Sequence, residues 1–69
     1  MFEIKLREEF IKLGQALKAV NLVESGAEAK DVILAGEVTV NGEVCTMRGK
    51  KLYPGDLVSF DGEEIQIKA

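Results

Sequence analysis

At Gly36 the hydrophobic pattern of this chain changes period, and that switch constrains the fold more than any other feature. Before it, Ala29, Val32, Ile33 and Gly36 fall at i, i+3, i+4 and i+7, the spacing of a helix with one apolar stripe. Ser25, followed three residues later by Glu28, is a capping-box pattern, and Gly36 is a natural helix stop. The spacing therefore predicts a helix over about Ser25 to Ala35. Beyond it, "EVTVNGEV" puts Val38 and Val40 on one face, then Asn41-Gly42, then Val44. Asn-Gly between alternating residues signals a hairpin, because both central positions need positive φ. Helix and strand thus follow each other directly, which excludes an all-α or all-β chain.

The flanking segments extend the pattern. "FEIKL" (Phe2 to Leu6) alternates apolar and charged residues like a half-buried strand, and a second extended piece is expected through Phe10 and Ile11. Leu13, Leu17 and Val20, with Ala16 beside them, predict a short helix from about Gly14 to Val20, closed by Asn21 in the left-handed conformation. Pro54-Gly55 suits a type II turn, and "LVSFDGEEIQIKA" reads as a hairpin through Asp61-Gly62 with Ile65 and Ile67 on one face. The expected fold class is α+β: two short helices packed on one face of a small, mainly antiparallel sheet. With 69 residues, no repeat and no linker, one domain spanning 1–69 is expected.

Composition narrows the chemistry. Cys45 is the only cysteine and histidine is absent. An internal disulfide is impossible, a zinc site lacks ligands, and the commonest general base is missing. No apolar run approaches the roughly 20 residues of a membrane helix, and "MFEIKLREEF" lacks a signal peptide's apolar segment, so a cytoplasmic protein without membrane contact is expected. Cys45 is expected to be a packed strand cysteine, Asp56 to close the Pro-Gly turn, and Tyr53 to be half-buried beside it, although it could stack on a base. No phosphate-cradling GxxxxGK motif is present. Neither a catalytic residue, a metal site nor a cofactor is expected.

The net charge of −3 argues mildly against a nucleic-acid partner, but its distribution does not. Residues 1–9 and 61–69 carry three cations against six anions, whereas residues 10–60 carry six of each. All the excess acid lies at the two ends, leaving room for a basic patch between them. Arg48, Lys50 and Lys51 fall within four positions around Gly49, which frees the backbone to follow a phosphate chain; the plain alternative is a solubilising turn. On the second helix, Gly26 and Lys30 share one stripe at i, i+4. A bare Gly26 would let a phosphate approach the helix N-terminus while Lys30 leans back toward it. The plain alternative there is a capped helix, since Glu24 and Glu28 compete with an anion. Lys12 and Lys18, flanking and riding the first helix, gain value only if they share that face.

From Lys12 to Phe60 these residues carry a resemblance. The order of Lys12-Leu13, Leu17, Leu22, then Ser25, Ala29, Lys30 and Ile33, then the "G-x-V-x-V-N-G" of Gly36 to Gly42, resembles the S4 domain, a small RNA-binding module. The basic stretch Arg48 to Lys51, then Gly55-Asp56 and Val58, is similar to the later part of the same pattern. The whole chain looks like the short stand-alone S4-like proteins of bacteria. The resemblance implies the S4 or αL-motif fold and a non-catalytic module binding structured RNA, ribosomal or transfer, through the two-helix face and the adjacent loop. A ribosomal or RNA-processing protein is the further partner it implies. It carries RNA contact over to Lys12, Ser25, Lys30 and the loop cations. The chain departs from the pattern with Gly14 in place of aspartate, Asn21 in place of glycine, and Gly26 in place of the arginine of a Ser-Arg pair. An S4 scaffold without that arginine could instead dock onto a protein through hydrophobic and acidic faces, which is the second reading. An enzymatic role resting on Cys45 or Asp56 is the third.

Overall fold

The two ends of the chain meet in one sheet. In the computed structural model, which describes residues 1–69, the N-terminal alternation forms strand β1 (Phe2–Lys5), and β2 (Ile11–Lys12) leads directly into helix α1 (Leu13–Ala19). Helix α2 (Gly26–Leu34) follows, then β3 (Val38–Val40), β4 (Glu43–Val44), β5 (Lys51–Leu52), β6 (Leu57–Phe60) and β7 (Glu63–Lys68). Five strands form one sheet in the order β1-β7-β6-β3-β4, and β2 and β5 form a separate antiparallel ribbon. The β1–β7 pair is parallel and the other pairs are antiparallel, so the sheet is mainly antiparallel, as expected.

Each turn adopts the conformation its residues demand. Asn41 (φ 53°) with Gly42 (φ 87°), and Asp61 (φ 52°) with Gly62 (φ 78°), are left-handed pairs that close the β3–β4 and β6–β7 hairpins. Gly55 (φ 100°) takes the third position of the Pro-Gly turn, and the N–H of Asp56 donates to the carbonyl of Tyr53 at 3.0 Å. Both helices end in the same way. After α1, Asn21 (φ 60°) donates to the Lys18 carbonyl and Leu22 to that of Leu17; after α2, Gly36 (φ 77°) donates to Ile33 and Glu37 to Val32. These are Schellman closures, which satisfy carbonyls that a helix end otherwise leaves free.

The apolar stripes meet in one core. Leu13, Ala16 and Leu17 of α1 and Ala29 and Ile33 of α2 are buried together with Val38, Val40, Val58, Ile65 and Ile67 of the sheet, Val23 between the helices and Leu52 of the ribbon. Across the strands, Val40, Val58, Ile65 and Phe2 form one apolar row by register. No polar side chain is buried, so the core carries no desolvation cost of that kind.

Two local expectations are corrected. Helix α1 begins at Leu13 rather than Gly14, because the backbone of the 48–50 loop satisfies its first donors. Cys45 lies just beyond β4, half-buried, and not in a strand; its N–H still donates to the Val38 carbonyl at 3.0 Å. Across the Asn-Gly turn, Val44 lies on the opposite face from Val38 and Val40. It pairs with Thr39, and strand alternation turns it outward, where it is 62% exposed.

Candidate nucleic-acid interface

The start of α1 has no Ser, Thr or Asp to cap it. Instead, the N–H of Leu13 donates to the Lys50 carbonyl at 2.9 Å and that of Gly14 to the Arg48 carbonyl at 3.1 Å. The side chain of Gln15 accepts from the Lys12 N–H at 3.3 Å. Orphan helix donors are thereby satisfied by a loop rather than by a cap residue. The consequence runs against the expectation of a free loop around Gly49. Its backbone is held by α1, by the bond from Lys50 N–H to the Met47 carbonyl at 3.1 Å, and by the pairing of Lys51 with Lys12. The docked loop leaves its Arg48, Lys50 and Lys51 side chains exposed.

The absence of a side chain at Gly14 matters to this docking. A Cβ built there would lie 3.6 Å from the Arg48 carbonyl oxygen and 3.9 Å from the Cβ atoms of Ala29 and Arg48. Helix α1, helix α2 and the loop therefore converge at Gly14, and beside it lies an open depression of about 300 Å³. Its lining is Lys12, Gly14, Gln15, Gly26, Ala29, Arg48 and Gly49.

Helix α2 presents its N-terminus to the same depression. The Ser25 hydroxyl accepts from the Glu28 N–H at 3.1 Å, as the capping pattern requires. Glu28 does not complete the reciprocal box. With Ser25 extended (φ −149°, ψ 165°), its carboxylate accepts from the Glu24 N–H at 2.8 Å instead. The N–H groups of Gly26 and Ala27 have no acceptor within the protein, and a Cβ at Gly26 would meet nothing within 4 Å. Two free donors at the positive end of a helix dipole thus open beside Lys12 and Arg48.

The structure brings together only part of the expected set. Lys12, Gly26 and Arg48 line the depression, and Ser25 caps the helix at its edge. Lys51 stands opposite Lys12 on the ribbon, with its ammonium 4.8 Å from the centre of the Phe10 ring. The side chain of Lys50 lines a different depression, beside Asn41 and Met47. Lys18, in the last turn of α1, and Lys30 of α2 are exposed and line neither. None of these six cations is ion-paired, the two pairs of the molecule being Met1 amino group to Glu63 and Lys68 to Glu3. Sequence reasoning missed Gln15, Ala29 and the close approach at Gly14. The signal for the last was a glycine inside a helical pattern, which usually has a packing reason.

Comparison with known proteins agrees with the fold. The family model of the S4 domain matches residues 4–68. A Bacillus subtilis protein named as a probable ribosome maturation protein, RlbA, is 44% identical over 59 residues, covering 86% of this chain and 83% of that protein. YbcJ of Escherichia coli, named as a candidate RNA-binding protein, is 41% identical over 59 residues, covering 86% of this chain and 84% of its own. The solution structure of YbcJ, described as revealing an αL motif involved in RNA binding, superposes with a TM-score of 0.76 at 37% identity. The match covers the whole of this chain and 89% of that one.

Proposed function

The chain belongs to the S4 domain family, and from that premise we propose that it is a non-catalytic module that binds structured RNA through its phosphate backbone. The observation that carries this reading is the convergence of Lys12, Arg48 and the open N-terminus of α2 on one depression. Unpaired cations and free N–H donors suit phosphate oxygens, which position an RNA without reading its sequence. Lys51, Lys50, Lys30 and Lys18 would extend the contact along the backbone outside the depression. Ribosomal RNA is favoured over transfer RNA by the name of the Bacillus subtilis relative. The same reading makes the chain a single RNA-binding unit of the cytoplasm. No helix in it is long and apolar enough to cross a membrane.

The test is the salt dependence of binding to a ribosomal RNA hairpin, followed by fluorescence anisotropy. If about four phosphates are neutralised, log K falls against log salt with a slope of roughly −3 to −4. Arg48→Ala and Lys12→Ala should each flatten that slope by about one without changing the circular dichroism, since both side chains are exposed. Salt-independent binding, or none at low salt, would falsify the proposal.

A second reading, a protein-interaction module, draws on one observation. Val44 and Met47, 62% and 66% exposed, flank an open depression of about 410 Å³ beside β4. Capture of a protein partner that survives both nuclease and high salt, and is lost in Met47→Glu, would favour it.

A further inference from the structure

The β2–β5 ribbon has two unlike faces. Ile11 and Leu52 pair across it and turn inward, Leu52 being fully buried. Lys12 pairs with Lys51, and continuing the same antiparallel register one step sets Phe10 opposite Tyr53. Side chains two apart on a strand share a face, so Lys12, Lys51, Phe10 and Tyr53 stand together on the outer side. The rings agree with that placement: their centres are 6.1 Å apart at an interplanar angle of 51°, and the Lys51 ammonium lies 4.8 Å from the centre of Phe10.

An aromatic pair directed outward needs a reason. Tyr53 keeps 43% of its surface exposed, and the Phe10 ring beside it is only partly buried. Its position is also fixed. The Tyr53 N–H donates to the Asp56 carboxylate at 2.8 Å, its carbonyl accepts from the Asp56 N–H at 3.0 Å, and Pro54 follows. A ring held on a rigid turn loses little freedom when something stacks on it.

We propose that Tyr53, backed by Phe10 and Lys51, is a stacking platform for one unpaired base of the RNA whose phosphates engage Lys12 and Arg48. The inference rests on the RNA-binding reading above and specifies its substrate: RNA with an unpaired nucleotide, in a loop, bulge or end, rather than a continuous duplex. The spacing supports it. Lys12 stands diagonally across the ribbon from Tyr53, and diagonal neighbours on one face are about 7–8 Å apart, a distance one nucleotide bridges between its phosphate and its base. The charge is complementary as well, with two lysines on the phosphate side of two aromatic rings. Unpaired bases stacked on aromatic side chains are a common mode of RNA recognition, because every base has a π-face.

Tyr53 is the only tyrosine and tryptophan is absent, so ultraviolet emission from the protein reports on this one residue. The experiment titrates the whole chain at low salt with an RNA hairpin bearing a six-nucleotide loop, and with a blunt duplex of the same stem. The expected result is quenching of Tyr53 emission by the hairpin beyond that caused by the duplex. Tyr53→Ala should weaken hairpin binding roughly 5- to 100-fold and duplex binding less than about 2-fold. Tyr53→Phe should bind the hairpin nearly as wild type. The alanine variant keeps both backbone hydrogen bonds, and circular dichroism checks that it folds. If both RNAs bind with the same quenching, or if Tyr53→Ala binds both as wild type does, the platform is wrong and the RNA-binding reading stands. Binding of neither RNA removes both.

Discussion

Gly26 holds the position where the resembled pattern has an arginine. A side chain there would have room, since a Cβ meets nothing within 4 Å and the backbone is not left-handed. Glycine at the first helical position therefore costs helix stability without serving packing. What it leaves is access to the free N–H groups of Gly26 and Ala27 beside Lys12 and Arg48. Gly26→Arg should raise stability by up to about 1 kcal/mol, from helix propensity. On the reading of an opened backbone site, it should also weaken RNA binding severalfold, because the new side chain fills the mouth of the depression. Anisotropy titrations on the two proteins decide between the alternatives. A large gain in affinity would mean that Gly26 marks a lost contact.

At the scale of elements, what the sequence made legible was local. The Ser25 cap, the left-handed Asn21 and Gly36, and the three turns with glycine all followed from residue chemistry within four or five positions. The parallel β1–β7 pairing, the two-residue β2–β5 ribbon and the docking of the 48–50 loop on α1 did not. They join residues far apart in sequence, and strands of two residues are too short to show a period. The candidate site divides along the same line. Lys12, Gly26 and Arg48 were named from pattern, but only the tertiary fold separates them from Lys18 and Lys30. Asn41 is a further case. Its turn role was readable, yet its side chain also accepts from the Leu57 N–H at 2.9 Å and donates to Asp56 at 3.0 Å. That ties the β3–β4 hairpin to the turn that carries Tyr53. Asn41→Gly keeps the left-handed conformation and loses the tie, and should cost about 1 kcal/mol, since the bonds are exposed. Asn41→Ala adds a strained φ, for about 2–3 kcal/mol in all. Urea denaturation separates the two, and equal costs would show that φ strain contributes nothing.

For the molecule as a whole, four of the six acids of the two chain ends, Glu3, Asp61, Glu63 and Glu64, lie on β1, on β7 or in the hairpin turn that leads into β7. Because β1 pairs with β7 in parallel, Glu3 lies beside the strand that carries Glu63 and Glu64, whereas Glu8 and Glu9 follow the far end of β1; the ion pairs of these acids are Glu63 with the Met1 amino group and Glu3 with Lys68. A chain of net charge −3 can then present six unpaired cations elsewhere. The salt slope counts the phosphates contacted, whereas net charge acts only through the screened long-range field, with a Debye length near 8 Å at physiological salt. Neutralising the β6–β7 hairpin with Asp61→Asn, Glu63→Gln and Glu64→Gln brings the net charge from −3 to zero. Asparagine tolerates the left-handed turn position, so the fold should survive. RNA affinity at physiological salt should rise by less than about threefold, with the slope of log K against log salt unchanged, because these carboxylates neighbour no contacted phosphate. An increase beyond about tenfold, or a slope steeper by a unit or more, would place the acidic end inside the RNA footprint and move the interface away from the depression at Gly14.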